Sequence, residues 1–551
     1  MKSAVLKKMV YFSLFLLLFI TSSFAQNIEE IKIEIQERIE NGIQNGRIAI
    51  GEIYLFNNKS LGQYYIDRGF EPVWTNDKNI TDLFNILLDS YNEGLNPENY
   101  HLKRITDLVN KINNGTSTPD LYAYLDLLMS DAASLYINHL NYGKTMQSEL
   151  RKSWNVPENP MPQNPAKLFQ TALTTKDIPG LFELFGPQHI MYTNLKKGLQ
   201  KYREIDKNGG WPVIPAEETL KKGMVSDRIP IIRKRLMITG DLNVANGNTD
   251  NQSFDEALEE GVKHFQFRHN LNQDGVIGKN TAAEMSVPVE NRINQIRVNL
   301  ERARWVMHKL DPDFLLVNIA RYNLFRFTNG KVVYSSPVIV GKTFHQSPIF
   351  KAQMKYMVIN PTWTLPYSIA TKETLPKLKK DPGYLPARNM IIMDRSGKKL
   401  DPSKIDFNKY STSNFPFTIR QEPGPNNALG EVKFMFPNSY SVYVHDTPNR
   451  SLFSSEERAF SHGCIRLQKK WELLMNLMDD PEVWNIDKIN EILGSGKTTN
   501  INLPKPIDII ILYLTATSDN DGRIYFFKDI YKRDKAVLSE LSKPWDYKIV
   551  K

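Results

Sequence analysis

Hydrophobic spacing changes period along the chain and divides it. From residue 26 to about 225 apolar positions recur at helical intervals, as over Ile28 to Ile39 and again from Leu121 through Leu125, Leu128 and Ala132 to Tyr136. Pro and Asn clusters interrupt this region at Leu95-Asn96-Pro97 and over residues 155–160. It carries no catalytic constellation, and His101 and His139 read as packing or surface residues. A helical scaffold over 26–225 is the expectation.

Residues 226–288 form a compact second unit. Ile231, Leu236 and Ile238 predict a first helix ended by Gly240-Asp241. Ala257, Val262 and Phe265 predict a second. Asp274-Gly275 marks a turn, and Gly278 with Thr281 opens a third, short helix. A linker helix follows over 289–312, with Ile296, Leu300 and Arg304 on spaced turns.

At Asp313 the period drops to two, which opens a β domain over 313–498. Phe314 to Phe327 alternates, Asn329-Gly330 signals a tight hairpin, and Val332 to Val340 returns. A strand at Met357 to Asn360 leads into Pro361-Thr362-Trp363. Between about 365 and 421 the strand pattern lapses into a Lys-, Pro- and Asp-rich stretch with one helix-like run near 371–380. Such an excursion reads as a lid insertion. Strands are expected again at Glu431 to Phe436 and Ser439 to Val444, the second aiming Ser441, Tyr443 and His445 to one side. After Cys464 the spacing of Leu467, Trp471, Leu474, Met475 and Met478 is helical, which places Cys464 at a helix start. Over 499–551, an apolar run from Ile507 to Leu514 and a return from Arg523 to Phe527 flank Asn520-Asp521-Gly522. This hairpin and tail are expected to pack on the β domain. The run is too short to span a membrane.

The amino terminus has its own pattern. Lys2, Lys7 and Lys8 precede an apolar run from Met9 to Ile20, and small residues lead to Ala25. Residues 1–25 read as a secretory signal cut after Ala25, with no stable membrane span after cleavage.

Composition extends this picture. The chain has 551 residues, 41% of them hydrophobic and 24% charged, which allows packed cores but exceeds what one core serves. The expected class is α+β and multidomain: a mostly helical scaffold, a small three-helix domain, and a mixed β domain with a lid. The formal charge of +9 falls to +6 without Lys2, Lys7 and Lys8 of the expected signal, a mild excess. It suits an anionic polymer, and the absence of a basic cluster with interleaved aromatics argues against nucleic acid.

The chemistry centres on the single cysteine, Cys464, in Ser461-His462-Gly463-Cys464-Ile465-Arg466-Leu467. An exported chain with one thiol cannot pair it internally, so the thiol is either buried or used. A helix start would lower the thiol pKa. Gly463 permits a tight turn, its N–H and that of Cys464 can face a developing oxyanion, and Ser461 is a candidate cap. A thiol nucleophile needs a base, and both His462 and His445 qualify from spacing. Asp446 or a backbone carbonyl would orient His445. A metal site is not expected, because His-x-Cys supplies only two local ligands and Arg466 disfavours a cation. The glycines near the motif form no phosphate-binding loop, and no cofactor is expected.

His445-Asp446-Thr447 followed by the Cys464 motif resembles the active-site signature of L,D-transpeptidases, which cross-link bacterial peptidoglycan. Gly341-Lys342 and Asn360-Pro361-Thr362-Trp363 resemble features of the larger members. Residues 226–288 resemble the three-helix peptidoglycan-binding domain of secreted cell-wall enzymes. The resemblance implies that Cys464 is the nucleophile and His445 the general base. It gives His462 a supporting role near the oxyanion site and Arg466 a substrate-orienting one. Many members carry Gly or Ser where this chain has Asp446, so its carboxylate has a role only if the backbone carbonyl does not orient the base. Ser461, Trp363 and Tyr443 are candidate substrate contacts, as are Lys372, Lys377, Lys379 and Lys380 of the lid. The implied partners are peptidoglycan stem peptides and glycan, in the periplasm. The implied reaction is 3→3 cross-linking with loss of D-Ala, inhibited by carbapenems. Hydrolysis as an L,D-carboxypeptidase, attachment of another amine to the wall, or a wall-binding scaffold without activity are the alternatives.

Overall fold

The computed structural model describes residues 28–545 except 57, 146–153, 158, 159, 163, 164, 216, 217, 244–250 and 309. The expected signal, 1–25, lies outside the described residues. The chain divides into two compact units. One comprises Met1–Lys152, Pro157–Leu310 and Thr515–Lys551; the other comprises Ser153–Val156 and Asp311–Leu514.

The first unit is helical. Its longest helix, Pro119–Tyr142, is apolar nearly all round and is buried accordingly. Against it packs Ile28–Gln44, whose Ile31, Ile35 and Ile39 form one fully buried stripe at a spacing of four. Several polar groups in this core are hydrogen bonded. Asp126 accepts from the Val73 and Trp74 N–H groups at 2.9 and 2.8 Å. His101 meets Asp131 at 2.9 Å and His139 meets the Tyr100 hydroxyl at 3.0 Å, so both histidines are core residues.

The three expected helices of the second stretch are present at Ile229–Thr239, Glu256–Arg268 and Lys279–Met285. They share a core of Ile232, Leu236, Leu258, Val262 and Phe265. Gly240 closes the first in the left-handed region. Gln266 holds the Asp274-Gly275 turn, accepting from Gly275 N at 2.9 Å and donating to Asp274 at 2.8 Å.

Two expectations about connections are corrected. Residues 289–312 are more than a linker: the helix Val289–Val306 is a core element of the helical unit, burying Glu301, Arg302 and Arg304, with Arg304 and Glu301 paired at 2.6 Å. The tail does not belong to the β domain beyond residue 514. Its hairpin joins Ala516–Ser518 to Ile524–Phe526, not the 507–514 run. Arg268 donates to Ile524 O at 2.9 Å, Asn299 accepts from Thr515 N at 2.9 Å, and Arg302 meets Asp534 at 2.7 Å. Buried arginines and an asparagine of the helical unit thus claim the tail's polar groups.

The second unit is a mixed sheet. Its strands are β1 (Asp313–Asn318), β2 (Asn323–Thr328), β3 (Lys331–Gly341), β4 (Ile349–Ile359), β5 (Val432–Met435), β6 (Val444–His445), β7 (Ala459–Ser461), β8 (Ile465–Leu467) and β9 (Thr499–Leu512). The order β5-β6-β8-β3-β2-β1-β9-β4 closes on itself, because β4 also pairs with β5. β7 lies beside β3, and Trp154–Asn155 adds a parallel edge to β4. β9 sits between β1 and β4, which explains its run of buried isoleucines over 509–511. The β2–β3 turn is the expected hairpin, with Asn329 at φ 50° and Gly330 at φ 74° and Thr328 opposite Lys331.

The insertion is a small subdomain and not a structureless loop. Lys399–Leu400, Met390–Met393, Thr418–Gln421 and Trp363–Thr364 form a four-stranded sheet. Leu375, Leu385, Ile392, Phe407, Phe415 and Ile419 give it a separate core. The expected strand at Ser439 to Val444 shrinks to Val444–His445. Ser441 has φ 56°, and Asn438 donates to Phe436 O and Val442 O, so the segment turns before it pairs.

Candidate active site

β6 and β8 run parallel, with Val444 opposite Ile465 and His445 opposite Arg466. The Ile465 N–H donates to Tyr443 O at 3.1 Å, which extends the register by one residue and sets Cys464 beside Tyr443. Side chains alternate along a strand and paired residues share a face. Tyr443 and His445 on one segment, and Cys464 and Arg466 on the other, therefore project together.

Cys464 does not start a helix. It ends the turn after β7 and enters β8, and the helix Lys470–Met478 begins further on. No helix dipole acts on the thiol, and burial raises its pKa. The backbone and hydroxyl hydrogen bonds of Tyr443, then the charge of Arg466, oppose that rise. Sγ lies 3.8 Å from Ser441 O.

His445 is buried, and its Nδ1 lies 2.5 Å from the carbonyl oxygen of Asp446. A carbonyl only accepts, so Nδ1 carries the proton and Nε2 is the basic nitrogen. Burial, with Arg466 adding to it, pushes the imidazole pKa down to about 4. The ring is neutral at pH 7. The Asp446 carboxylate is turned away from the ring. It accepts from Glu431 N at 3.0 Å, Arg450 Nη1 at 3.0 Å and Lys470 Nζ at 2.5 Å.

Arg466 is half-buried, and its Nε is buried without a hydrogen-bond partner among the described residues. Its charge is felt at both Cys464 and His445. Trp363 reaches the same place, hydrogen bonding to the Tyr443 side chain.

The signature's remaining residues are placed differently from expectation. Ser461 is buried and faces inward, donating to Cys464 O at 2.6 Å and accepting from Gly463 N at 3.1 Å. It braces the turn; it neither caps a helix nor faces a substrate. Gly463, at φ 116°, therefore has its N–H engaged, and its carbonyl accepts from Ser347 Oγ at 2.7 Å. An oxyanion role for that N–H does not fit this arrangement. His462 is exposed, with Nε2 2.8 Å from Glu373 Oε1 of the insertion and its ring 5.1 Å from that of His345. Lys372, Lys377, Lys379 and Lys380 are exposed on the insertion. Among the described residues no cluster of three or more His, Cys, Asp or Glu is arranged to hold a metal.

Comparison with known proteins is consistent with this geometry. Residues 312–484 match the family described as "L,D-transpeptidase catalytic domain". That stretch of the chain is similar to L,D-transpeptidase catalytic domains. Residues 59–199 match a "Scaffold domain" and residues 226–285 a "Putative peptidoglycan binding domain". A Haemophilus influenzae protein named "Putative L,D-transpeptidase" is 34% identical over 269 residues, 48% of this chain and 53% of that protein. The chain thus spans about half the length of that relative. Among solved structures, an L,D-transpeptidase from Stackebrandtia nassauensis is 10% identical, covering 55% of this chain and 97% of that one at a TM-score of 0.23. Mycobacterium tuberculosis L,D-transpeptidase 1 is 14% identical, covering 37% and 62% at a TM-score of 0.14.

Around the Cys464 thiol, sequence reasoning missed several contacts. Glu373 lies 89 positions from His462 and Lys470 lies 24 from Asp446, so no local pattern links either pair. The one available signal was an acidic residue directly after a strand-end histidine; its burial, seen only in the structure, is what demands cationic partners.

Proposed function

We propose that this protein is an exported cysteine L,D-transpeptidase that forms 3→3 peptidoglycan cross-links in the periplasm. The observation that carries the proposal is the shared face of Tyr443, His445, Cys464 and Arg466 on the parallel β6–β8 pair.

Cys464 is the nucleophile. It attacks the carbonyl of the third residue of a tetrapeptide stem, forming a thioester and expelling D-Ala. With a thiol pKa raised by burial, the free enzyme holds little thiolate at pH 7, so His445 Nε2 takes the thiol proton as the bond forms. That proton passes to the departing D-Ala amine. The side-chain amine of a second stem then attacks the thioester, and His445 accepts the amine's proton while Cys464 leaves. Tyr443 approaches the thiol through both its N–H and its hydroxyl, which suits it to hold the oxyanion in both steps. Arg466 offers an unpartnered buried Nε to a substrate carboxylate or carbonyl. Trp363 lines the acyl-donor side, and His462 joins the insertion to the nucleophile turn. Residues 226–288 hold glycan, while 26–225 form a scaffold. A carbapenem acylates Cys464 by the same first step.

Incubation of the mature chain with tetrapeptide muropeptides tests this. The expected products are 3→3 dimers with release of D-Ala. Tripeptides alone indicate an L,D-carboxypeptidase, a stem joined to another amine indicates wall attachment, and unchanged substrate with retained wall binding indicates a scaffold.

A further inference from the structure

Behind His445 lies a charged cluster that the proposed reaction does not use. Asp446 is 2% exposed, yet every polar group it has is held. Its N–H donates to Val432 O at 2.9 Å. Its carboxylate receives Glu431 N, Arg450 and Lys470 at 3.0, 3.0 and 2.5 Å. Lys470 also meets Glu431 at 2.6 Å, and Arg450 Nη2 donates to Gln468 O at 2.6 Å. The cluster joins the start of β5, the loop after β6 and the first turn of the helix Lys470–Met478. Space for it is made by Gly430, at φ 63°, where a Cβ would lie 2.2 Å from Asp446 Oδ2.

The remaining polar group of Asp446 is its carbonyl, which accepts from His445 Nδ1 at 2.5 Å, beside a further hydrogen bond of the ring to the Leu429 backbone. Rotating the Asp446 peptide would swing this acceptor and turn the imidazole. The N–H bond to β5 fixes one end of the residue, and the carboxylate fixes the other. A carboxylate this deep persists only with its charge matched, and the two cations supply the match from separate segments.

Resting on the base role proposed above for His445, we propose that Lys470 and Arg450 are positioning residues for the base. By clamping the Asp446 carboxylate they fix the direction of its carbonyl, and so the aim of His445 Nε2 at Cys464.

The test uses the full chain and iodoacetamide, which reports the reactivity of Cys464 whatever the physiological acceptor. Alkylation rates at pH 7 are measured for wild type, H445Q, K470M, K470R and R450M, beside tetrapeptide kinetics. H445Q sets the rate without a base. K470M is expected to fall about tenfold to a hundredfold toward that rate, the loss that a displacement of order 1 Å brings. Its kcat should fall with KM unchanged, and K470R should recover most of the rate. R450M, at a half-exposed position, should show the same loss at smaller size, which keeps the test available if K470M does not fold. Wild-type alkylation by folded K470M and R450M, with H445Q slowed, overturns the clamp. So does a loss in K470M that K470R does not recover. If H445Q alkylates like wild type, the base assignment itself fails and the clamp with it.

Discussion

His445 Nδ1 and the Asp446 carbonyl oxygen stand 2.5 Å apart, and this contact assigns the tautomer of the imidazole. The basic nitrogen is then Nε2. The orienting group is backbone, while the neighbouring carboxylate serves the loop around it.

The first prediction concerns pH. His445 has its pKa lowered from 6.5 to about 4 in the folded chain. Between those values the unfolded chain binds a proton that the folded chain does not, so stability falls as pH drops through that window and is fully present above it. The contribution is about 3 kcal/mol at ~1.36 kcal/mol per pKa unit. Denaturant midpoints for wild type and H445Q, measured at pH 7.5 and pH 4.5, should show a smaller acid loss in H445Q. Equal losses contradict the assignment.

A second prediction separates the two groups that favour the thiolate. Tyr443→Phe removes a hydrogen bond that lowers the thiol pKa, and Arg466→Met removes a charge that lowers the pKa of both Cys464 and His445. Both variants should shift the pH profile of Cys464 alkylation upward. Only Arg466→Met should also move the acid limb of turnover upward, because only Arg466 acts on the imidazole. Alkylation profiles identical to wild type would show that neither group reaches the sulfur.

Parts of this site were legible in the sequence and parts were not. The His445 and Cys464 motifs stood out because function concentrates unusual residue types in short runs. Asn329-Gly330 stood out because a two-residue turn with both φ positive tolerates few side chains. The helix start at Cys464 was misjudged for a physical reason: β8 is only Ile465–Leu467, too short for a period of two to show against the helical stripe that follows. The insertion's sheet was invisible because none of its strands exceeds the four residues of Met390–Met393 and Thr418–Gln421, so its core is gathered from scattered turns. The tail's allegiance rests on Arg268, Asn299 and Arg302, which lie more than 200 positions away.

The third prediction addresses the insertion. Glu373 and His462 are both partly exposed, at 48% and 37%. A pair of this kind contributes about 0–1 kcal/mol, so Glu373→Gln should leave the thermal midpoint nearly unchanged. It should instead speed amide hydrogen exchange within 365–378 and raise KM for the tetrapeptide. Exchange and KM equal to wild type would show that the contact does not hold the insertion against the nucleophile turn.

The central claim is that Cys464 forms a thioester with a stem peptide. Intact mass spectrometry of the full chain, quenched during turnover of a tetrapeptide donor, measures it directly. The predicted result is an adduct of the donor less D-Ala on Cys464, lost with Cys464→Ala and accumulating poorly with His445→Gln. An adduct or full turnover in Cys464→Ala would contradict the account.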